Sequence, residues 1–165
     1  MNARYAENTQ VSSDRSRAEI ERTLRRYGAT AFAYGWDREA ATLMFEIANR
    51  RVKFRLPMPD AADTQFTRTP TGKGRSPSAA EAAFEQAVRQ RWRALALVIK
   101  AKLEAVDAGI TTVEQEFLAH IVLPDGRTVG QHTLPAIATA YESGEMPQLL
   151  PGSGQDLSQG GDRLG

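Results

Sequence analysis

The residues most capable of chemistry are cations that recur at regular spacings in the middle of the chain. Arg51, Lys53 and Arg55 alternate with apolar residues, and a strand places such alternate side chains on one face, about 7 Å apart. The connection that follows adds Lys73 and Arg75. Cations in a row on a sheet face repel one another unless a neighbour or a ligand compensates their charge. A phosphate backbone, whose charges are also spaced several ångströms apart, would compensate all of them.

A second group of cations lies on a long predicted helix. At about 100° per residue, Arg89, Arg93 and Lys100 fall within one narrow arc beside the apolar stripe of that helix. The stretch 50–102 carries 12 Lys or Arg and 4 Asp or Glu, although the whole chain has a net charge of only +1. Such concentrated positive charge indicates a polyanionic partner. The alternatives are a solvated surface balanced by the acidic stretch 109–165, or an edge strand whose cations prevent aggregation.

Three aromatic residues alternate with small ones on another predicted strand. Phe32, Tyr34 and Trp36 share one face, and the opposite face holds only alanine and glycine. Exposed aromatic rings beside cations would stack on nucleic-acid bases, whereas buried rings would pack in the core. Because alanine and glycine cannot fill a core by themselves, we expect the aromatic face to be the buried one, with a base-stacking platform as the alternative.

Nothing in the chain indicates an enzyme or a bound cofactor. The segment Thr-Gly-Lys-Gly at 71–74 lacks the earlier glycine and the Ser or Thr after the lysine that a phosphate-binding loop requires. His120 and His132 with Glu114 and Glu116 could in principle make a metal site, and a metal-dependent nuclease would use Glu114, Glu116 and His120. Such residues more often lie singly on helix surfaces, so we expect no catalytic residue, no metal and no cofactor.

The composition is that of an ordinary globular domain. The 165 residues are 41% hydrophobic and 25% charged, and they include no cysteine, which excludes disulfide and thiolate chemistry. No apolar run approaches the roughly 18 residues of a membrane span, and the N-terminus lacks the apolar region of a signal peptide. We therefore expect a cytoplasmic protein without a membrane partner.

The spacing of apolar residues along the sequence predicts the helices and strands that must position the cations. A helix from the caps at 12–14 to Tyr27 is followed by strands near 29–37, 41–47 and 51–56, and the short connections between them predict an antiparallel meander. A turn between the second and third strands is expected at Asn49, which tolerates a left-handed backbone.

The long helix is predicted to begin at Ser78, which has capping-box spacing to Glu81, and to end at Gly109. Its apolar stripe has helical spacing and consists of Phe84, Val88, Trp92, Leu95, Ile99, Leu103 and Val106. A short helix, a hairpin around a Pro-Asp-Gly turn and a last helix with Pro135 in its first turn are expected after it.

The predicted fold class is therefore α+β. We expect a three-stranded antiparallel meander with a short N-terminal helix and a long helix packed across the sheet, followed by small helices and a hairpin. The expected organisation is a disordered N-terminus at 1–11, a single domain at 12–146 and a flexible C-terminal tail at 147–165.

Several segments also resemble known proteins. The chain is similar to a family of small phage and prophage proteins, mostly without an assigned function, over RQRWRALALVIKAKLEAVDAG (89–109), EQEFLAHIVLPDGRTVG (114–130), AYESGEMPQLLP (140–151), YGATAFAYGWD (27–37) and FRLPMP (54–59). The order of elements resembles that of the Rad52-like single-strand annealing proteins. That resemblance implies a basic groove for ssDNA, assembly into rings, and annealing without ATP or metal. Double-stranded RNA-binding domains have the same order of elements, so both likenesses stay open.

These observations together predict a nucleic-acid-binding phage protein in the cytoplasm of a bacterial host. The leading hypothesis is ssDNA binding or annealing in recombination or replication, and homo-oligomers are the expected state. The residues expected to neutralise phosphates are Arg51, Lys53, Arg55, Lys73, Arg75, Arg89, Arg93 and Lys100. The alternative is a protein-interaction module, an inhibitor or adaptor acting on a host protein, whose contacts would come from the long helix and the acidic C-terminal segment.

Overall fold

A computed structural model describes residues 3–37 and 39–147, and within them the predicted α+β class is confirmed. Residues 148–165, which make up nearly all of the predicted C-terminal tail, lie outside the described residues. None of the described helices is long and apolar enough to cross a membrane. The elements are α1 (Ala3–Arg26), β1 (Ala31–Trp36), β2 (Ala40–Ile47), β3 (Arg50–Pro57), α2 (Thr64–Thr67), α3 (Pro77–Asp107), α4 (Val113–Phe117), a 3-10 turn (Leu118–His120) and α5 (Val129–Ser143).

The three strands form an antiparallel sheet in the order β1-β2-β3, which confirms the predicted meander. A two-residue turn joins β2 to β3, and both of its residues, Ala48 and Asn49, have left-handed backbones with φ of 51° and 59°. Two positive φ angles are typical of a type I′ turn, whose twist matches that of the flanking strands. The expectation for Asn49 is confirmed, since asparagine adopts this conformation more readily than most residues.

The turn between β1 and β2 depends on one carboxylate. The Oδ1 atom of Asp37 accepts hydrogen bonds from the backbone N–H groups of Glu39 and Ala40, both at 2.8 Å. Because these bonds favour the charged carboxylate, they hold the pKa of Asp37 below its usual value. The turn is therefore fixed by the side chain of its first residue.

Helices α1 and α3 pack together on one face of the sheet and enclose the core. Ile20 and Leu24 contribute from α1 and are each 1% exposed. Burying a side chain of this size stabilises the fold by about 1.5–3 kcal/mol. The stripe predicted for α3 is confirmed, because its central residues are buried and its two end residues pack against the same core: Val88, Trp92, Leu95, Ile99 and Leu103, with Phe84 and Val106 at the ends.

A cluster of three phenylalanines attaches the later elements to the sheet. The ring of Phe117 in α4 meets those of Phe45 and Phe54 edge-on, at centroid distances of 5.6 and 6.2 Å. Edge-on contacts of this kind add to the free energy gained from burial. They place α4 and the 3-10 turn beside β3.

The beginning of α3 differs from the predicted one. Ser76 is the N-cap, with its Oγ accepting a hydrogen bond from the Ala79 N–H at 3.3 Å. Pro77 occupies the first position of the helix, where the N–H that proline lacks would have had no partner. The predicted capping box between Ser78 and Glu81 is therefore wrong.

Helix α1 begins at Ala3, ahead of the caps predicted at 12–14 and within the segment 1–11 for which we expected disorder. The good helix formers Ala, Arg, Glu and Gln are frequent in that segment, so the helix continues through the predicted caps. Its predicted end is close to the observed one, and Gly28 follows it with a φ of 88°.

Helix α5 begins earlier than predicted because a capping box sets its first turn. The Thr128 hydroxyl accepts from the Gln131 N–H at 3.2 Å, and the Gln131 side chain accepts from the Thr128 N–H at 2.8 Å. Pro135 consequently lies inside the helix rather than in its first turn, and it cannot donate to the Gln131 carbonyl. The Arg127 guanidinium donates to that carbonyl at 2.9 Å instead, which replaces the missing bond.

Replacing the true N-cap should destabilise the protein more than replacing the predicted one. We expect Ser76→Ala to lower the free energy of unfolding by about 0.5–2 kcal/mol, because an N–H of the first turn of α3 loses its acceptor. Ser78→Ala is the matched control and should cost less. Urea unfolding of the wild type and both variants measures the difference. An equal or larger loss for Ser78→Ala would contradict the assignment.

Candidate functional site

The alternation of β3 separates its apolar and charged residues onto two faces of the sheet. Val52 and Phe54 are buried on the face that α1 and α3 cover, so the alternate residues lie on the opposite face. We call this second face the open face. It consists of Ala31, Ala33 and Gly35 from β1, Thr42, Met44 and Glu46 from β2, and Arg51, Lys53 and Arg55 from β3.

The open face is accessible across its whole width. None of its nine residues is buried, and all three from β1 are exposed. Because the side chains of β1 are small, a shallow depression of about 140 Å³ lies beside Met44, Glu46 and Arg51. The sequence signal for this depression is the alternation of alanine and glycine along one face of β1.

The three cations form a row along the β3 side of the open face and retain a net positive charge. Within the described residues, Arg51 and Lys53 have no ion pair. Arg55 pairs with Glu39 at 3.3 Å, but both side chains are mostly exposed, and such pairs contribute only about 0.2–1 kcal/mol. Glu46 lies opposite Arg51 in the strand register, so two carboxylates, Glu39 and Glu46, stand beside three cations. An anionic ligand would relieve the remaining repulsion.

The predicted helix cations lie on the other side of the sheet. Helix α3 packs on the covered face through its apolar stripe, and the arc of Arg89, Arg93 and Lys100 is turned by about 110° from the middle of that stripe. Arg89 pairs with Glu85 at 3.4 Å and Lys100 with Glu104 at 3.7 Å, while Arg93 is exposed. The structure therefore brings the strand cations together and separates them from the helix cations.

Lys73 and Arg75 lie in the loop between α2 and α3, which packs beside α3 and not on the open face. The loop is anchored by Phe66, whose ring meets that of Phe84 in α3 edge-on at a centroid distance of 5.6 Å. The Nε atom of Arg75 donates to the Arg68 carbonyl at 3.1 Å. Arg75 thus stabilises its own loop, and Lys73 is exposed in it.

The aromatic residues of β1 face the helices, but only one of them is well covered. Phe32 packs against the core, whereas Tyr34 is 46% and Trp36 71% exposed. The Arg17 guanidinium lies 4.3 Å from the centroid of the Tyr34 ring and 5.6 Å from that of Trp92, which joins α1, β1 and α3 by cation–π contacts. These rings lie across the sheet from the strand cations, so the two do not form one base-stacking surface.

Two further basic residues of α3 hold neighbouring elements in place. The Arg91 guanidinium donates to the carbonyl of Pro57 at the end of β3. The Lys102 ammonium bonds to the backbone carbonyl of Glu116 at 2.7 Å and to its carboxylate at 3.1 Å. Because both groups have protein acceptors, they contribute to the packing of the fold.

The residues considered for a metal-dependent nuclease do not converge. Glu114 and Glu116 each pair with a basic residue, and the imidazole of His120 stacks on the Phe54 ring at 3.9 Å between centroids. In the ranges 3–37 and 39–147, no group of three His, Asp or Glu side chains is arranged to hold a metal ion.

His120 is a half-buried titratable group that lies against β3. Burial lowers the pKa of His120 below its ordinary value, the nearby Lys102 charge lowers it further, and a hydrogen bond with the Lys53 backbone opposes both effects. The imidazole is therefore held towards its neutral form.

Comparison of the chain with protein-family models, with curated proteins and with solved structures finds no match. The functional reading of the open face therefore depends on its geometry and charge.

Burial of His120 should make the protein less stable in mild acid. Below about pH 6.5 the unfolded chain binds a proton at this position more readily than the folded protein, so the free energy of unfolding should fall as the pH drops from 6.5 to the lowered pKa. We expect His120→Gln to reduce this dependence. Urea unfolding at about pH 7.5 and pH 5.5 measures it, and an identical pH dependence in both proteins would show that His120 is not its source.

Proposed function

We propose that this protein binds nucleic acid, with ssDNA as the leading ligand, through the open face. The observation that carries the proposal is the row formed by Arg51, Lys53 and Arg55 on an accessible sheet face. The strand spacing of about 7 Å lets successive cations meet successive phosphates of an extended strand. The adjoining depression and the small residues of β1 leave room for sugars and bases next to the row.

The distribution of ion pairs favours the strand cations over the helix cations as phosphate ligands. Arg89 and Lys100 have carboxylates one helical turn away, and a phosphate would have to compete with these partners. In the described part of the chain, Arg55 is the one strand cation that has an ion pair and Arg93 is the one helix cation that has none, although Glu46 stands opposite Arg51 in the register. We therefore assign phosphate contact to the open face and treat the helix cations, with Lys73 and Arg75, as a secondary positive field that attracts the ligand from a distance.

A matched pair of triple variants tests the assignment. Arg51→Gln/Lys53→Gln/Arg55→Gln and Arg89→Gln/Arg93→Gln/Lys100→Gln each remove three positive charges, but from opposite sides of the sheet. With a labelled single-stranded oligonucleotide, the open-face variant should bind weakly, and the slope of log affinity against log salt should decrease by about 2, at roughly 0.7 per phosphate contact. The helix variant should largely keep the wild-type slope.

Anisotropy titrations over a salt series measure both slopes, and circular dichroism verifies that each variant is folded. Wild-type protein that fails to bind even at low salt would overturn the proposal of nucleic-acid binding. A larger loss in the helix variant than in the open-face variant would overturn the assignment to the open face alone.

The narrower role is annealing of complementary strands during phage recombination or replication. Its support is the order of elements, a helix, three antiparallel strands and a long helix, which resembles that of single-strand annealing proteins. The discriminating measurement is the rate at which two complementary labelled oligonucleotides pair with and without the protein. Binding without acceleration would leave a single-strand binding protein.

A protein-interaction role is the second candidate, and a different surface supports it. Helix α5 exposes Leu134, Ile137 and Tyr141 at spacings of three and four residues, so they form an apolar stripe on its surface. Nuclease-treated pull-downs from bacterial lysate with wild type and Tyr141→Lys separate the candidates. A specific partner that is lost in the variant, together with no affinity for oligonucleotides, would favour this role.

A further inference from the structure

The β3 edge of the sheet is covered by later parts of the chain. Its outward backbone groups have hydrogen-bond partners in two places, and Pro57 has no N–H to satisfy. The contacts are the Val122 N–H to the Arg51 carbonyl at 2.8 Å, beside a bridge between Val52 and Ile121, and the Arg91 guanidinium to the Pro57 carbonyl. This edge cannot accept another strand without losing them.

The β1 edge is not covered in this way. The Asp37 N–H donates to the Ala40 carbonyl at 2.9 Å, and hydrogen-bonded pairs alternate along an antiparallel ladder. It follows that Ala31, Ala33 and Gly35 form the backbone hydrogen bonds to β2. Phe32, Tyr34 and Trp36 alternate with them, and their N–H and C=O groups point away from the sheet. No strand or bridge in the described part of the chain pairs with them.

The sequence of β1 also lacks the features that protect free edges. Charged side chains, prolines and covering loops are the usual means of preventing edge-to-edge pairing. The strand reads Ala-Phe-Ala-Tyr-Gly-Trp, with neither a charge nor a proline, and five of its six residues are exposed. An uncharged, extended and accessible edge is a template for a further strand.

We propose that β1 pairs in antiparallel orientation with β1 of a second copy of this chain, so that one sheet runs through both copies. Outward residues must oppose outward residues, and the register with the greatest overlap places Tyr34 opposite Tyr34 of the second copy and Phe32 opposite Trp36. Each opposed pair exchanges two backbone hydrogen bonds. The aromatic pairs lie on one face, where cross-strand aromatic contacts stabilise a sheet, and they cover Tyr34 and Trp36.

A second copy fits this edge better than an unrelated peptide does. The strand itself carries no charge that would select a charged partner, and the Arg17 guanidinium over the Tyr34 ring is paired with Asp14. The aromatic residues are complementary to themselves about the two-fold axis. Self-pairing of the β3 edge would instead oppose Arg51, Lys53 and Arg55 to one another, which is unfavourable. Because the paired strands are short, we expect a dimer whose population depends on protein concentration. The pairing does not require nucleic acid.

Charge placed at the two-fold axis tests the pairing and its register. In sedimentation experiments over a concentration series without nucleic acid, the wild type should approach twice the mass of one chain. Tyr34→Lys and Tyr34→Glu should each stay monomeric, because like charges then face each other across the axis. An equimolar mixture of the two variants should recover a dimer, since unlike charges are opposed.

A single cysteine gives an independent measurement in a chain that has none. In the proposed register the Cα atoms at position 34 are about 5.5 Å apart, which lies within the range of a disulfide. Mild oxidation of Tyr34→Cys should give a covalent dimer, and Arg55→Cys on the covered edge should not. A wild type that is monomeric at every concentration would overturn the proposal. So would a dimer that persists in folded Tyr34→Lys, or equal cross-linking of both cysteine variants.

Discussion

The register between β2 and β3 is the constraint on which the rest of the structure depends. A shift by one residue would exchange the faces of β3, moving Arg51, Lys53 and Arg55 into the core and exposing the residues that contact Phe45 and Phe117. Burial of unpaired charges costs several kcal/mol each, so the shifted sheet cannot compete. The type I′ turn fixes the register at the cost of a left-handed backbone at Ala48, which a residue with a Cβ adopts with a penalty of roughly 1–2 kcal/mol.

The same register divides the positive charge of the chain into two fields. One lies on the open face, where small neighbours leave the strand cations accessible. The other lies on the helix layer, where carboxylates one turn away already compensate Arg89 and Lys100. The repulsion within a row of similar cations is therefore compensated differently on a strand and on a helix. On a strand face the charges repel along the row, whereas on a helix the sequence can place an acidic residue four positions away.

Much of the fold was predictable from the spacing of apolar residues and from turn residues that are close in sequence. The alternation of β3, the left-handed turn at Asn49 and the stripe of α3 are confirmed, because each is set by residues close in sequence. The separation of the strand and helix cations was implied by the same periods, since a helix that packs on Val52 and Phe54 lies across the sheet from the cations that alternate with them. Local period does not give the exposure of Tyr34 and Trp36, which depends on how far the helices extend over β1. The capping error arose because Ser76 and Ser78 both have cap chemistry, and the fixed φ of Pro77 favours the earlier start.

The asymmetry between the two edges connects the charge layout to assembly. The edge next to the cations is closed by contacts from α3 and the 3-10 turn, and the neutral edge lies about 10 Å away across two strand spacings. In the dimer proposed above, a two-fold axis perpendicular to the sheet would keep the open faces of both copies on the same side. The two cation rows would then lie roughly 24 Å apart, at about 4.8 Å per strand, and run in opposite directions. Each row could hold its own strand without repelling the other, because this separation exceeds the Debye length of about 8 Å at physiological salt. In that arrangement the free edges meet at the axis, and the closed edges with their cation rows lie at the two ends of one continuous face.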